Sequence, residues 1–329
     1  MKWIERHISY VALGIILAIS PFLLGSTSSA QQFPAKTVRI VVPYAPGGPT
    51  DVIARILAAP LQEQLGQTVI VENRAGANTN IGTAFVARSE ADGHTLLITS
   101  TTFTINPSLY KNVPYDPIKD FEPVQDLATS PNAFVASTAS GIRSLKDLID
   151  RESAKPGALN YGTAGIGTPT HLAAELLNIR AKTKLVHVPY AGGGPAAQAL
   201  LGGQIELGSL ALPNVQSAIK AGTMVPLAVT GQQRWPGLPD VATMIELGYP
   251  DFVSETAMLF LAPKGTPLEA LKRLSQETAE ILKRPDVIAR INALGFTVLG
   301  GGPETLRARI AREVPEFNRI IEGANLPRM

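Results

Sequence analysis

Cysteine is absent from all 329 residues of this chain. Its absence excludes disulfides, thiolate metal sites, thiol nucleophiles and a lipid anchor on a cysteine. Aromatic residues make up only 6% of the chain, histidine occurs four times, and the formal net charge is +2. The small net charge, without a basic cluster, argues against nucleic acid as a partner. Hydrophobic residues at 45% suffice for a large core, and this length predicts about two domains.

An apolar segment near the N-terminus carries a targeting signal. Two basic residues precede the uncharged apolar stretch 11–24, and small residues lead up to Ala30. This order is typical of a secretory signal peptide, which we predict at residues 1–30 with cleavage after Ala30. A membrane anchor is the alternative, but the stretch is shorter than the ~20 residues that a spanning helix needs. We therefore predict export to the periplasm as a soluble protein that is not lipidated.

Strand patterns alternate with helix patterns from about residue 37 onward. The continuous apolar run Val38–Val42 is typical of a parallel strand that is covered on both faces. The helix pattern after it contains Pro60, which predicts a kink or a break. A Pro-rich stretch at 106–123 interrupts the alternation, which then resumes. Repeated βα units predict an α/β fold built from parallel, doubly wound sheets.

The end of the chain reads as helices without strands of their own, so we expect it to pack back on the first lobe. This expectation divides the protein into two lobes with two crossings between them. Two crossings make a hinge that can open and close a cleft. The predicted first lobe is 31–130 plus 255–329, the second lobe is 131–254, and the crossings lie near 127–133 and 252–259.

Two loops of the chain resemble each other. Residues 43–51 and residues 189–196 each read as Pro-Tyr-Ala, then a Gly/Pro turn, then a helix start, and each follows an apolar strand. A Gly-rich turn exposes backbone N–H groups, and a helix N-terminus adds partial positive charge. Each loop is therefore a predicted cradle for an anion such as a carboxylate. Their separation of about 140 residues fits one cradle in each domain.

Two further Gly-rich turns, 162–168 and 72–82, also lie between a strand and a helix. The first resembles a dinucleotide loop only loosely, because Thr170 stands where the third glycine would be, and we predict no cofactor. Any one such loop is explained as an ordinary βα turn. Four of them at strand ends favour a shared ligand cleft. Arg74 in the second turn could bind a ligand carboxylate, but a structural pair with Asp51 or a carbonyl is the favoured interpretation.

Patterns for catalysis are missing from the sequence. It contains no Gly-x-Ser-x-Gly elbow, no phosphate loop of the Walker type and no His-Glu-x-x-His metal motif. We predict structural roles for His94 and His187. Binding without catalysis is the favoured function, and two other classes stay open: a hydrolase that uses the same cleft, and a module that signals ligand status to a membrane sensor kinase.

Taken together, these motifs resemble the Bug, or TctC, family of periplasmic solute receptors of tripartite tricarboxylate transporters. The resemblance implies a two-lobed periplasmic-binding-protein fold that is type II-like, with the ligand cleft at the hinge. It also implies a small organic carboxylate as ligand (a dicarboxylate, a tricarboxylate or an aromatic acid), membrane permease subunits as partners, and a monomer. The segments that carry it are 43–48 with Asp51, 71–77, 92–97, 106–110, 165–168 with His171, 188–192, 238–241 and 262–267.

The sequence departs from the family pattern at two places. Asn78 and Thr79 stand where the family often has glycine, so this loop differs in shape or contacts the ligand directly. Ser209 and Leu210 stand where many members carry an aromatic residue and an aspartate. Without that acid, a ligand ammonium loses a partner, so we expect a ligand without an amino group. Tight binding of aspartate or glutamate, with no binding of other carboxylates, would contradict this hypothesis.

The loops and the resemblance together predict the ligand contacts, with no catalytic residue, no metal and no cofactor among them. The predicted contacts are Tyr44, Ala45, Gly47, Gly48, Asn78, Thr101, Thr102, Gly167, Thr168, His171, Tyr190, Ala191, Gly192 and Leu210.

Overall fold

A computed structural model describes residues 33–329, so the predicted signal peptide lies outside the described residues. This part of the chain contains ten strands and ten α-helices, which alternate except for one pair of consecutive strands and one pair of consecutive helices. The strands are β1 Val38–Val42, β2 Val69–Asn73, β3 Thr95–Ser100, β4 Phe121–Ser137, β5 Asn160–Thr163, β6 Val186–Pro189, β7 Leu207–Ala211, β8 Met224–Val229, β9 Glu255–Pro263 and β10 Thr297–Gly301. The helices are α1 Pro49–Leu65, α2 Asn80–Ala87, α3 Thr102–Leu109, α4 Leu145–Ala154, α5 Pro169–Ala181, α6 Gly193–Leu201, α7 Gln216–Lys220, α8 Leu268–Leu282, α9 Pro285–Ala293 and α10 Pro303–Gly323.

The strands form two groups that share one member, β4. The first group has the order β2-β1-β3-β9-β4-β10, with β2, β1 and β3 parallel and the other neighbours antiparallel. The second has the order β6-β5-β7-β4-β8, with β6, β5 and β7 parallel. The parallel triplets are the βα units that the sequence pattern indicates. The two strand groups make the two-lobed α/β fold that the sequence predicts.

Strand β4 changes groups part-way along its length. Up to Pro131 it pairs with β9, and from Asn132 onward it pairs with β7 and β8. The chain returns to the first group at Glu255, where β9 begins. Both changes fall within the stretches at which the sequence predicts a crossing.

Buried polar side chains tie the two crossings together. The amide of Asn132 donates to the hydroxyl of Thr230 at 3.0 Å, and its side chain donates to the carbonyl of Ser254 at 3.2 Å. The backbone N–H of Ser254 donates in turn to the carbonyl of Thr230 at 3.0 Å. A buried polar network of this kind fixes the geometry of the strands that it joins.

Helix α1 starts and ends on local sequence signals. Pro49 occupies its first turn, where the missing N–H costs nothing, and Gly66 ends it in the left-handed region at φ 68°. Pro60 does not split the helix, which runs unbroken to Leu65. Of the predicted kink or break, the break is therefore wrong, because the packing of the buried face of α1 outweighs one lost hydrogen bond.

The last helix, α10, packs against both strand groups. Leu306 and Ile310 lie in an apolar cluster with strands β3 and β9, whereas Phe317 and Ile320 lie in a cluster with α5 and β7. Helix α3 joins the second cluster through Ile105. The sequence predicts contact of the C-terminus with the first lobe. It does not predict the contact that the second half of α10 makes with α5 and β7.

Candidate functional site

The first Pro-Tyr-Ala loop is built around a buried carboxylate. Asp51 is only 2% exposed and accepts hydrogen bonds from the Gly47 amide at 2.9 Å, from the Asn73 side chain at 2.9 Å and from Arg55. Burial alone would raise the pKa of the Asp51 carboxyl, but the hydrogen bonds from Arg55, Gly47 and Asn73 outweigh it and lower that pKa. The carboxylate therefore stays ionised and fixes the loop.

Because Gly47 donates to Asp51, its amide is not free for a ligand. The next amide, that of Gly48, donates to no acceptor within residues 33–329. Gly48 is the N-cap of α1, and no side chain caps this helix. The unpaired amides of this loop within the described residues therefore include those of Ala45, of Gly48 and of the first helical turn.

A row of hydroxyls lies beside this loop at the end of β3. The Tyr44 hydroxyl is 2.6 Å from the Ser100 hydroxyl, which lies 3.2 Å from that of Thr102. Thr101 differs, since its hydroxyl donates to the Glu255 carbonyl at 3.2 Å and accepts from the Ala257 amide at 2.8 Å. Thr101 is fully buried and holds α3 to β9, so we do not retain it as a ligand contact.

The turn after β2 has an unusual backbone. Ala77, Asn78 and Thr79 all have positive φ, at 45°, 49° and 78°. Asn tolerates this region, but a β-branched threonine is strained there. The buried side chain of Asn106 holds the turn, since it donates to the Asn78 carbonyl at 2.7 Å and accepts from the Asn78 side chain at 2.9 Å. The loop around Asn78 therefore has a left-handed backbone that Asn106 holds in place.

On the second half, the loop after β5 uses most of its polar groups internally. The Thr168 hydroxyl donates to the Gly165 carbonyl at 2.8 Å, accepts from the His171 amide at 3.3 Å and lies 2.9 Å from the Thr170 hydroxyl. One hydroxyl offers a single donor and two acceptor sites. The Thr168 side chain is thus committed to the loop and to capping α5.

Removal of the Thr168 hydroxyl is expected to reduce stability rather than to act on the ligand directly. Loss of an N-cap hydroxyl costs about 1 kcal/mol. Thr168→Ala should lower the free energy of unfolding by about that amount in urea titrations, whereas Thr168→Ser, which keeps the cap, should match the parent. Equal stability of Thr168→Ala and Thr168→Ser would contradict the capping role.

Gly167 is the point at which this loop approaches the first half of the protein. It has φ 70°, and a Cβ atom there would lie 2.0 Å from the Leu109 side chain at the end of α3. Only glycine combines that backbone with that approach. Its amide donates to Nδ1 of His171 at 3.1 Å. His171 therefore stabilises the loop through this hydrogen bond.

His171 belongs to a buried aromatic stack with His187 and Tyr161. The two imidazole rings are 4.0 Å apart between centroids, and His187 stacks on Tyr161 at 5.0 Å. Burial lowers the pKa of His171 to about 3, with a further contribution from His187, and lowers the pKa of His187 to about 4. Both rings are therefore neutral at neutral pH. Because His171 accepts from Gly167 and is 2% exposed, its role here is to shape the loop.

The second Pro-Tyr-Ala loop matches the first in its free amides. The Tyr190 amide donates to the Thr163 carbonyl at 3.2 Å and fixes the start of the loop. Gly192 is the N-cap of helix α6 and, like Gly48 before α1, provides no side-chain cap. Within residues 33–329, the amides of Ala191, Gly192 and Gly193 donate to no protein acceptor. Each half of the protein thus presents one uncapped helix start after a Pro-Tyr-Ala loop.

Tripartite tricarboxylate transporter family receptors match this chain over residues 53–326. The chain belongs to that family. Among its relatives, BugT of Bordetella pertussis is 36% identical over 95% of this chain and 97% of the relative. The family is one of solute-binding receptors rather than of enzymes.

Solved structures of similar receptors share the fold. The periplasmic binding protein BugD is 35% identical, with a TM-score of 0.76 over 90% of this chain and all of its own. A Rhodopseudomonas palustris protein with adipate is 32% identical, with a TM-score of 0.78 over 89% of this chain and 98% of its own. MatC from the same organism, with bound malate, is 31% identical, with a TM-score of 0.75 over 88% and 100%.

Leu210 is a predicted ligand contact of this receptor that we do not retain. Side chains alternate between the two faces of a strand, and on β7 the side chain of Leu210 is completely enclosed in the apolar core beside Leu200 and Ala133. Ser209 faces the other way, and its hydroxyl donates to the Thr170 carbonyl at 2.6 Å. The position where many members carry an acid is thus part of the core in this receptor.

The arginines of the first-half loops are paired differently from the prediction. Arg55, not Arg74, binds Asp51. Arg74 pairs with Glu72, and its guanidinium lies 3.6 Å from the centroid of the Phe85 ring. Both arginines are therefore paired within the protein. The hydrogen-bond donors left for a ligand at these loops are neutral groups.

Three polar residues of the receptor loops were missed from the sequence. Asn73, Ser100 and Asn106 hold the loops by hydrogen bonds to Tyr44, Thr102 and Asn78. Asn73 and Ser100 end β2 and β3, and their position at strand ends was an available signal.

The described residues contain no cluster of three potential metal ligands. Among the same residues, no helix has the length and apolarity to span a membrane.

Proposed function

We propose that this receptor binds a small organic carboxylate in a cleft between its two halves and delivers it to the permease of a tripartite tricarboxylate transporter. One observation carries the proposal: each half presents a Pro-Tyr-Ala loop that leads into a helix without a side-chain cap. Unpaired amides at a helix start favour an anion. Relatives with adipate and malate support a carboxylate as the anion.

The proposed ligand contacts are narrower than the sequence prediction. The first-half loop would contribute amides at Ala45 and Gly48 and the hydroxyls of Tyr44 and Thr102. The second-half loop would contribute amides at Ala191 and Gly192. Gly47, Asn78, Gly167, Thr168, His171 and Tyr190 remain in the proposal as the residues that shape these loops.

The same proposal covers export, assembly and the lack of catalysis. Residues 1–30 would direct the chain to the periplasm, with two lobes at 31–130 plus 255–329 and at 131–254, and the receptor would act as a monomer. Binding without turnover is favoured because the buried His171 accepts from the Gly167 amide and so supports the loop. Turnover of any bound carboxylate would contradict this part of the proposal.

A thermal-shift screen of organic acids tests the proposal most directly. A ligand at 100 times its dissociation constant adds about 2.7 kcal/mol to the free energy of unfolding. We expect a dicarboxylate, a tricarboxylate or an aromatic acid to raise the melting temperature, and the matched amides or esters to leave it unchanged. A screen in which only uncharged compounds stabilise the protein would contradict the proposal.

A further inference from the structure

A second cavity lies beside the hinge, and none of the predicted carboxylate contacts lines it. Its volume is about 640 Å³, which is within the range of small-molecule sites. Its walls come from β4 and β10, from α5 and α10, and from the segment 231–236 that follows β8. Both halves of the protein therefore contribute to it.

Part of the cavity wall is apolar. Leu172 and Leu176 of α5 face Phe317 and Ile320 of α10, and Trp235 stands in the segment after β8. Aromatic faces of this kind attract an organic cation as well as an aliphatic chain.

The rest of the wall has more carboxylates than available cations. Asp251, Glu255 and Glu316 line the cavity, and none of them forms a salt bridge with any residue of the described part. Glu255 has one neutral partner, the Thr129 hydroxyl, at 2.9 Å. Burial raises the pKa of the Glu316 carboxyl despite nearby arginines, as expected for an acid whose charge is not fully compensated.

Most of the arginines of the cavity are already engaged. Arg309 binds Asp126 at 2.7 Å and Glu313 at 3.1 Å. Arg234 binds Glu246 at 2.9 Å. Among the lining cations, Arg312 alone forms no salt bridge within residues 33–329. Arg180 and Arg319, which do not line the cavity, also act on Glu316. The lining itself has an excess of one negative charge, with four carboxylates (Asp251, Glu255, Glu313 and Glu316) against three guanidinium groups (Arg234, Arg309 and Arg312).

We propose that this cavity is a second ligand site that binds a small organic cation, with a guanidinium or ammonium group on an apolar stem. The cationic group would meet Glu316 and Asp251, and the stem would lie against Phe317 and Trp235. A charge-assisted hydrogen bond to a partly buried carboxylate is stronger than one in water. The site differs from the carboxylate cleft in its place, in its residues and in the charge of its ligand.

Agmatine, a guanidinium on a four-carbon chain with a terminal amine, is a suitable probe. We expect it to raise the melting temperature of the purified protein and to give saturable binding by calorimetry at millimolar concentrations, with sodium chloride at equal ionic strength as the control. Glu316→Gln should weaken agmatine binding about tenfold, because it removes one charge-assisted hydrogen bond. Asp251→Asn, at an exposed position, should weaken it in the same direction.

Glu322→Gln is the matched control, since Glu322 lies on the same helix, outside the cavity and 60% exposed. It should leave agmatine binding unchanged, and Glu316→Gln should leave carboxylate binding unchanged. The proposal is overturned by non-saturable binding, by equal weakening in Glu316→Gln and Glu322→Gln, or by displacement of agmatine with the carboxylate ligand. Failure of the carboxylate screen leaves these measurements intact, so the two proposals can fail separately.

Discussion

Replacement of Gly48 by proline is expected to weaken carboxylate binding about tenfold or more. The change removes one amide hydrogen from the first Pro-Tyr-Ala loop, and a hydrogen bond to a charged group is worth about 1.5–3 kcal/mol. The backbone of Gly48 already has φ −75°, which the proline ring accepts. The measurement is the dissociation constant of the stabilising carboxylate by calorimetry.

Gly48→Ala supplies the control for this experiment. It keeps the amide hydrogen, and the added Cβ would lie 3.8 Å from the nearest atom, the Ala45 carbonyl oxygen, which is ordinary contact. We expect its affinity to equal that of the parent protein. If both variants bind the carboxylate as tightly as the parent protein does, this amide is not part of the site. If both variants lose affinity equally, the flexibility of the loop and not the amide is responsible.

Acidification from pH 7 to pH 5 is expected to lower the free energy of unfolding by about 2 kcal/mol through His171 alone. The pKa of His171 is 6.5 in a free chain and about 3 in the folded protein. Between these values the unfolded state binds a proton that the folded state does not, so stability falls as the pH falls. The loss begins near pH 6.5 and would level off only near pH 3. His187, with its pKa lowered to about 4, acts in the same direction.

His171→Asn tests the assignment of this pH dependence. An asparagine oxygen can accept from the Gly167 amide in place of Nδ1 and does not titrate in this range. Urea titrations at several pH values should therefore show a shallower decline for the variant between pH 7 and pH 5. Parallel curves for the variant and the parent would show that the pH dependence comes from other groups.

The elements that were predicted well are those whose signals are local. Strand β1 is a continuous apolar run, and the helix pattern that follows it forms α1. Strand β4 was missed because Pro123 and Pro131 within it read as loop signals. Its hydrogen-bond partners in β9 lie more than a hundred residues away, and no local pattern reveals such a pairing.

The candidate site was predictable in its loops but not in its individual donors. The likeness between residues 43–51 and 189–196 marked both uncapped helix starts. The sequence could not tell that Asp51 takes the Gly47 amide, or that the Thr168 hydroxyl caps α5. A threonine before a helix serves equally as a cap or as a ligand contact. Which role it takes depends on distances that only the folded chain sets.

Helix α10, which packs against both strand groups, has a consequence for any attempt to separate the two halves. Each segment of β4 keeps its strand partners within its own half, but Phe317 and Ile320 of α10 lie in the apolar cluster of α5 and β7. A cut at the crossings would expose both sides of that apolar contact, and exposed apolar patches promote aggregation. Fragments cut at the crossings would therefore aggregate, and the intact receptor would melt in one cooperative transition, so biosensors should be made by labelling the whole protein rather than by splitting its gene.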